Sequence, residues 1–82
     1  MYNLEWKEDA LRDLRKLEDS LMRRIAKKVD ELSISPYSKD IKKLKNIPGY
    51  RLRVGDYRVI FDIEKNVIFI LKVGHRKNIY DF

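Results

Sequence analysis

Arg51, Arg53, Arg58, Lys72 and Arg76 are cationic residues whose types and spacing could do chemistry together. An arginine stays protonated throughout the working pH range and presents a planar fork of donors that matches phosphate or carboxylate oxygens. Like charges brought face to face across paired strands destabilise a sheet. A fold that gathers these side chains therefore implies an anionic partner to neutralise them.

The elements that would gather them lie between Tyr50 and Arg76. Period-two alternation runs from Tyr50 to Val54 and again from Tyr57 to Ile63, separated by Gly55-Asp56, a pair suited to a tight turn. With those two residues as the loop, Val54 stands opposite Tyr57, Leu52 opposite Val59, and Arg53 opposite Arg58. Arg51 shares their face. A third run, Val67 to Val73, follows Glu64-Lys65-Asn66. Taken as a three-residue loop, that segment pairs Ile63 with Val67, Phe61 with Phe69 and Val59 with Leu71, and puts Lys72 across from Arg58. Ile60, Ile68 and Ile70 then join the cations on the second face, and Arg76 follows at the strand end. A two-residue loop would instead send Lys72 and Arg76 to the apolar face, since one residue of slip exchanges every side chain.

The whole chain sets the bounds. At 82 residues it is expected to be a single domain spanning 1–82, of a size that buries roughly 60–65% of its unfolded surface. Nineteen Lys and Arg against 13 Asp and Glu give a net charge of +6, which suits RNA, DNA or an acidic protein. The absence of cysteine and the single histidine exclude disulfides and the usual thiolate or histidine metal clusters. Chemistry without metal or cofactor is the expectation. No apolar run approaches the roughly 20 residues of a membrane span, and MYNLEWKED is not a signal peptide. A cytoplasmic protein with no membrane partner is expected.

In chain order, Tyr2, Leu4 and Trp6 alternate with polar residues as a short strand does. Lys7 to Leu17 reads as a helix with Leu11, Leu14 and Leu17 on one stripe, acidic residues first and basic residues last. Asp19 or Ser20 is positioned to cap a second helix, with Leu21, Ile25, Val29 and Leu32 as its stripe. Ser33 to Pro48 reads as a loop whose second half is basic, with Lys39, Lys42, Lys43 and Lys45 available to steer an anion while Leu44 and Ile47 pin the loop. Beyond Arg76 only KNIYDF remains; Tyr80 either packs the sheet end or offers its ring to a base. The fold class expected is α+β: an N-terminal strand, a helical hairpin, then a three-stranded antiparallel meander forming a twisted sheet.

The string YRLRVGDYRVIF, followed by a strand ending in VGHRKNIY, resembles the RelE/ParE superfamily of toxins from toxin–antitoxin modules. RelE-type members are ribosome-dependent endonucleases that cut messenger RNA, whereas ParE-type members share the fold and poison DNA gyrase. The resemblance implies a RelE-like fold, a cognate antitoxin partner, and action on the ribosome and its mRNA. In RelE-like enzymes basic residues occupy the first hairpin strand, an arginine follows the aromatic of the next, another ends the last strand, and a tyrosine lies shortly after. Here those positions hold Arg51 and Arg53, Arg58, Arg76 and Tyr80. The terminal arginine and tyrosine favour the RelE branch. Arg51 and Arg53 stand where well-known RelE-type enzymes have lysines, and Lys42 and Lys43 where some relatives carry a glutamate base.

The reaction so implied makes a 2'-hydroxyl attack the adjacent phosphate. It needs a proton removed from that hydroxyl, charge stabilised on a phosphorane, and a proton given to the leaving 5'-oxygen. Arg53 and Arg58 suit the phosphorane, Arg76 the leaving group, and Tyr80 a substrate base, giving the catalytic set Arg53, Arg58, Arg76 and Tyr80. Arg51, Lys72, Lys43 and Lys45 are the RNA-binding set. For the general base, Lys72 lies on the required face and His75 on the opposite one. Two other readings use the same basic face: a ParE-like gyrase poison that cuts no RNA, and a noncatalytic RNA-binding module.

Overall fold

The computed structural model describes residues 1–79; Tyr80 lies outside the described residues. Its elements are β1 (Asn3–Trp6), α1 (Glu8–Arg15), α2 (Asp19–Leu32), β2 (Ile41–Lys43), β3 (Tyr50–Val54), β4 (Tyr57–Glu64) and β5 (Val67–His75). One five-stranded sheet has the order β1-β5-β4-β3-β2, with β1 parallel to β5 and the remaining neighbours antiparallel. The α+β class and the strand, helical hairpin and meander order are as the sequence predicts, with one extra strand at the edge.

That strand corrects the reading of Ser33 to Pro48 as loop throughout. Ile41, Lys42 and Lys43 pair with Leu52, Arg51 and Tyr50, and Ile41 packs on the core. Three residues between proline-bearing segments show too few periods to be read as a strand. At the other edge, β1 runs beside β5 with Asn3 opposite Val67 and Trp6 opposite Ile70. Tyr2, Leu4 and Trp6 all pack against the core.

Both helices bury one stripe. Ala10 of α1 is fully buried with Leu14 and Leu17 beside it, and Ile25, Val29 and Leu32 of α2 complete the layer. The cap of α2 corrects the sequence reading: Glu18, with extended backbone, is the N-cap, and the helix already includes Asp19 and Ser20. The Ser20 hydroxyl donates to the Glu18 carboxylate. Asp19 keeps a favourable place, since a carboxylate in the first turn complements the helix dipole.

The β3–β4 hairpin has the predicted register: Val54 opposite Tyr57, Leu52 opposite Val59, Arg53 opposite Arg58. Gly55 takes φ +59°, the left-handed conformation such a turn demands. The β4–β5 register is not the predicted one. Its turn has two residues, Lys65 and Asn66, with Lys65 at φ +57°, so Glu64 faces Val67, Ile63 faces Ile68 and Phe61 faces Ile70. Ile68 and Ile70, expected on the basic face, are fully buried in the core. Continued alternation would bury Lys72 as well. Instead the register shifts between Ile60 and Phe61, where Leu71 is the extra residue in β5, and a bulge of this kind resets which face each side chain takes. Lys72 therefore faces Ile60 rather than Arg58, Val73 returns to the core opposite Val59, and Gly74 faces Arg58.

The core centres on Phe61, fully buried and stacked on Tyr50 with ring centroids 5.5 Å apart. Past Ile70, where β1 has ended, the Val73 N–H donates to the Asp13 carboxylate at 3.1 Å. That bond ties α1 to β5 just beyond the bulge. The sheet face turned away from the helices is left to carry the cations.

Candidate anion-binding site

Cross-strand pairing puts Lys42, Arg51, Ile60 and Lys72 in one row across four strands. The connection from β2 to β3 folds over one end of this row, closed by the Leu44 N–H donating to the Gly49 carbonyl at 3.0 Å. Gly49 has φ +118°, and a Cβ there would stand 3.0 Å from the Phe61 carbonyl oxygen. A side chain at 49 would be strained at this φ and would press on that carbonyl. The result is a cleft of about 430 Å³ with Lys42, Lys43, Lys45 and Arg51 around it and Leu44, Ile60 and Ile79 as its apolar part. None of the described residues lining it is acidic.

A second row, Arg53, Arg58 and Gly74, lies next to the Gly55-Asp56 turn. Arg53 donates from Nη2 to Asp40 Oδ1 at 2.9 Å, and its backbone N–H donates to the Asp40 carbonyl at 2.9 Å. It lines a separate groove shared with Arg24 and Lys28 of α2 rather than the cleft. Arg58 is only 9% exposed. One of its terminal nitrogens donates to the carbonyls of Gly55 at 2.8 Å and Tyr57 at 2.9 Å, while its buried Nε has no partner among the described residues. Arg76, the residue after β5, meets the same turn: its N–H donates to the Asp56 carbonyl at 2.8 Å, and its Nε lies 3.7 Å from the Asp56 carboxylate.

The predicted residues thus separate into two groups. Lys43, Lys45 and Arg51 line the cleft, while Arg53, Arg58 and Arg76 surround the hairpin turn; Lys72 is exposed in the row that includes Ile60, a cleft residue. Sequence reasoning missed the acidic partners Asp40 and Asp56, because one lay in a supposed loop and the other was accounted for as a turn residue. It placed Ile60 on the basic face, where the cleft has it, but missed Ile79. His75 is held structurally: its Nδ1 accepts the Lys77 N–H at 3.1 Å, and its ring meets Tyr57 edge-on with centroids 5.3 Å apart. Away from this face, Tyr2 titrates above the ordinary tyrosine range because of its hydrogen bond to Tyr37.

A cationic cleft beside a cluster of guanidinium groups, on an open sheet backed by a helical hairpin, places the chain in a defined class. Residues 4–80 match the family described as the ParE toxin of the type II toxin–antitoxin system parDE. The chain belongs to the RelE/ParE superfamily of toxins, and within it to the RelE-like side. It is 34% identical to Toxin RelE3 of Methanocaldococcus jannaschii, over 88% of each chain. It is 33% identical to the mRNA interferase toxin RelE of Escherichia coli K12, over 93% of this chain and 84% of that one. Among solved structures, a chain of the RelBE2 toxin–antitoxin complex from Mycobacterium tuberculosis superposes with a TM-score of 0.82 at 28% identity, covering 92% of this chain and 98% of that one. A chain of the archaeal RelE–RelB complex from Pyrococcus horikoshii gives 0.80 at 30% identity, covering 94% and 97%. No helix among the described residues is long and apolar enough to cross a membrane.

Proposed function

We propose that this toxin is an endonuclease that cuts messenger RNA on the ribosome by attack of a 2'-hydroxyl on the adjacent phosphate. The observation that carries the reading is the cleft with Lys42, Lys43, Lys45 and Arg51 around it and no described acidic lining residue, set beside the Arg53–Arg58 pair. Such a surface holds a polyanion by its backbone, and the neighbouring guanidinium forks are the groups suited to charge that develops on a phosphorane. The Escherichia coli relative, an mRNA interferase, agrees with it.

In this reading Lys43, Lys45 and Arg51 hold the strand, with Lys72 at the side of the same row. Arg53 and Arg58 stabilise the phosphorane, Arg76 assists the leaving 5'-oxygen, and Tyr80 stacks on a base. The arginines remain protonated and cannot serve as the base. Holding the hydroxyl in line with the leaving oxygen on the ribosome removes a large share of the barrier, which lets a small domain work with an incomplete acid–base set. These steps draw on protein groups alone, with no metal or cofactor, and a ribosomal substrate places the protein in the cytoplasm. The solved relatives in RelB–RelE complexes support a cognate antitoxin as the second partner, and the basic face is complementary to an acidic segment of one.

The test is to add purified protein to ribosomes programmed with a defined codon and to map messenger ends, with free RNA alongside. Cuts on the ribosome and none in free RNA are expected. Intact messenger in both samples, together with inhibited supercoiling by gyrase, would move the function to the ParE type, whose name the matching family bears.

A further inference from the structure

The chain reverses direction directly after β5. The Asn78 N–H donates to the His75 carbonyl at 2.8 Å and the Lys77 N–H to the His75 imidazole at 3.1 Å. The Arg76 N–H is fixed on the Asp56 carbonyl at 2.8 Å. These bonds lay Ile79 back against Gly74. A Cβ built on Gly74 would stand 3.2 Å from Ile79 Cδ1 and 3.6 Å from Ile79 Cβ, so the missing side chain at 74 forms the notch that Ile79 fills. Ile79 is 6% exposed, although Arg76, Lys77 and Asn78 before it are all exposed.

This burial does not belong to the main core. Neither Ile79 nor Ile60 is a member of the core cluster, yet Ile60, on the face turned away from the helices, is only 3% exposed. Both line the cationic cleft. An aliphatic side chain on an open sheet face stays dry only under a cover, and the returning tail brings an apolar group to that place. The residue is thus buried at a site where the sheet needs no help from it to hold the helices.

We propose that Ile79 is a positioning residue: seated in the Gly74 notch, it closes the inner wall of the cationic cleft. It contacts no reacting atom. Its effect on RNA is exerted through the cleft wall, so the catalytic part of the claim rests on the proposed function.

The experiment compares the full chain with Ile79→Ala and Ile79→Val. It measures messenger cleavage on programmed ribosomes at varied ribosome concentration, amide hydrogen exchange at Lys77 and Asn78, and the thermal unfolding midpoint. Ile79→Ala is expected to speed exchange at these amides and to lower the cleavage rate at saturation by about tenfold to a hundredfold, the scale of a misplaced reacting group. The half-saturating ribosome concentration should stay within about twofold on the same argument, because the lysines that hold the strand are untouched. Val, which still fills the notch, should restore most of the rate. Cleavage by Ile79→Ala at the normal rate would overturn the proposal while leaving the endonuclease reading intact, as would unchanged exchange. A loss of rate that only follows a loss of folded protein in the unfolding curve would overturn it too. Absence of cleavage by the unaltered chain would instead overturn the endonuclease reading and the catalytic role with it, and exchange would still report whether Ile79 anchors the tail.

Discussion

The lysine-rich cleft and the arginine cluster at the β3–β4 turn lie on the same sheet, but their charges are held in opposite ways. Lys42, Lys43 and Lys45 are exposed and enter none of the ion pairs among the described residues. In contrast, the Arg53 guanidinium is bonded to Asp40 and that of Arg58 to two backbone carbonyls, and Arg76 is ion-paired with Asp56 at 3.7 Å. A free ammonium group on a flexible stem contributes attraction and little direction. A guanidinium already bonded in place keeps its orientation before substrate arrives, which is what stabilising a transition state requires. The proposed division follows: the cleft supplies affinity and the turn supplies rate.

The largest expected effect breaks the turn. Arg58→Ala should lower cleavage on programmed ribosomes by about a hundredfold to a thousandfold, as loss of a transition-state donor does. It should also cost about 1–3 kcal/mol of stability in a denaturant titration, because two part-buried hydrogen bonds from the charged guanidinium to the Gly55 and Tyr57 carbonyls are lost. Arg76→Ala comes next, with a loss of about a hundredfold if it assists the leaving oxygen. Its stability change should be about 1 kcal/mol or less, since both partners of the 3.7 Å pair with Asp56 are more than half exposed. Replacing Lys42, Lys43 and Lys45 together by Gln should weaken binding of a labelled single-stranded RNA. It should also make the plot of log affinity against log salt shallower by about 2, the share of three phosphate contacts. The smallest effect belongs to Asp40→Asn: about 1 kcal/mol of stability at most, because Arg53 is largely exposed, with RNA bound as tightly as before or slightly more tightly.

Most of this arrangement was legible in the sequence where local rules act alone. Gly55-Asp56 and the alternation around it define the β3–β4 register, and with it the Arg53–Arg58 pair. The β4–β5 register was not legible, because Lys65 takes the left-handed conformation without being glycine and nothing in VIFILKV marks Leu71 as a bulge. Lys72 nevertheless reached the basic face, since the two-residue turn and the bulge displace it in compensating ways. Arg51 could be assigned from charge and parity, and Lys43 and Lys45 from charge alone. Asp40, Asp56 and Ile79 could not, since their partners are 13, 20 and 5 residues away at Arg53, Arg76 and Gly74 and are brought together only by strand pairing or the reversal after β5.

The most direct measurement is single-turnover cleavage on programmed ribosomes at increasing toxin concentration, for the unaltered chain, Arg58→Ala and the triple lysine variant. The unaltered chain should cut, Arg58→Ala should lower the rate at saturation with little change in the half-saturating concentration, and the lysine variant should do the reverse. Intact messenger with the unaltered chain, or the same change in both constants for both variants, would contradict this expectation.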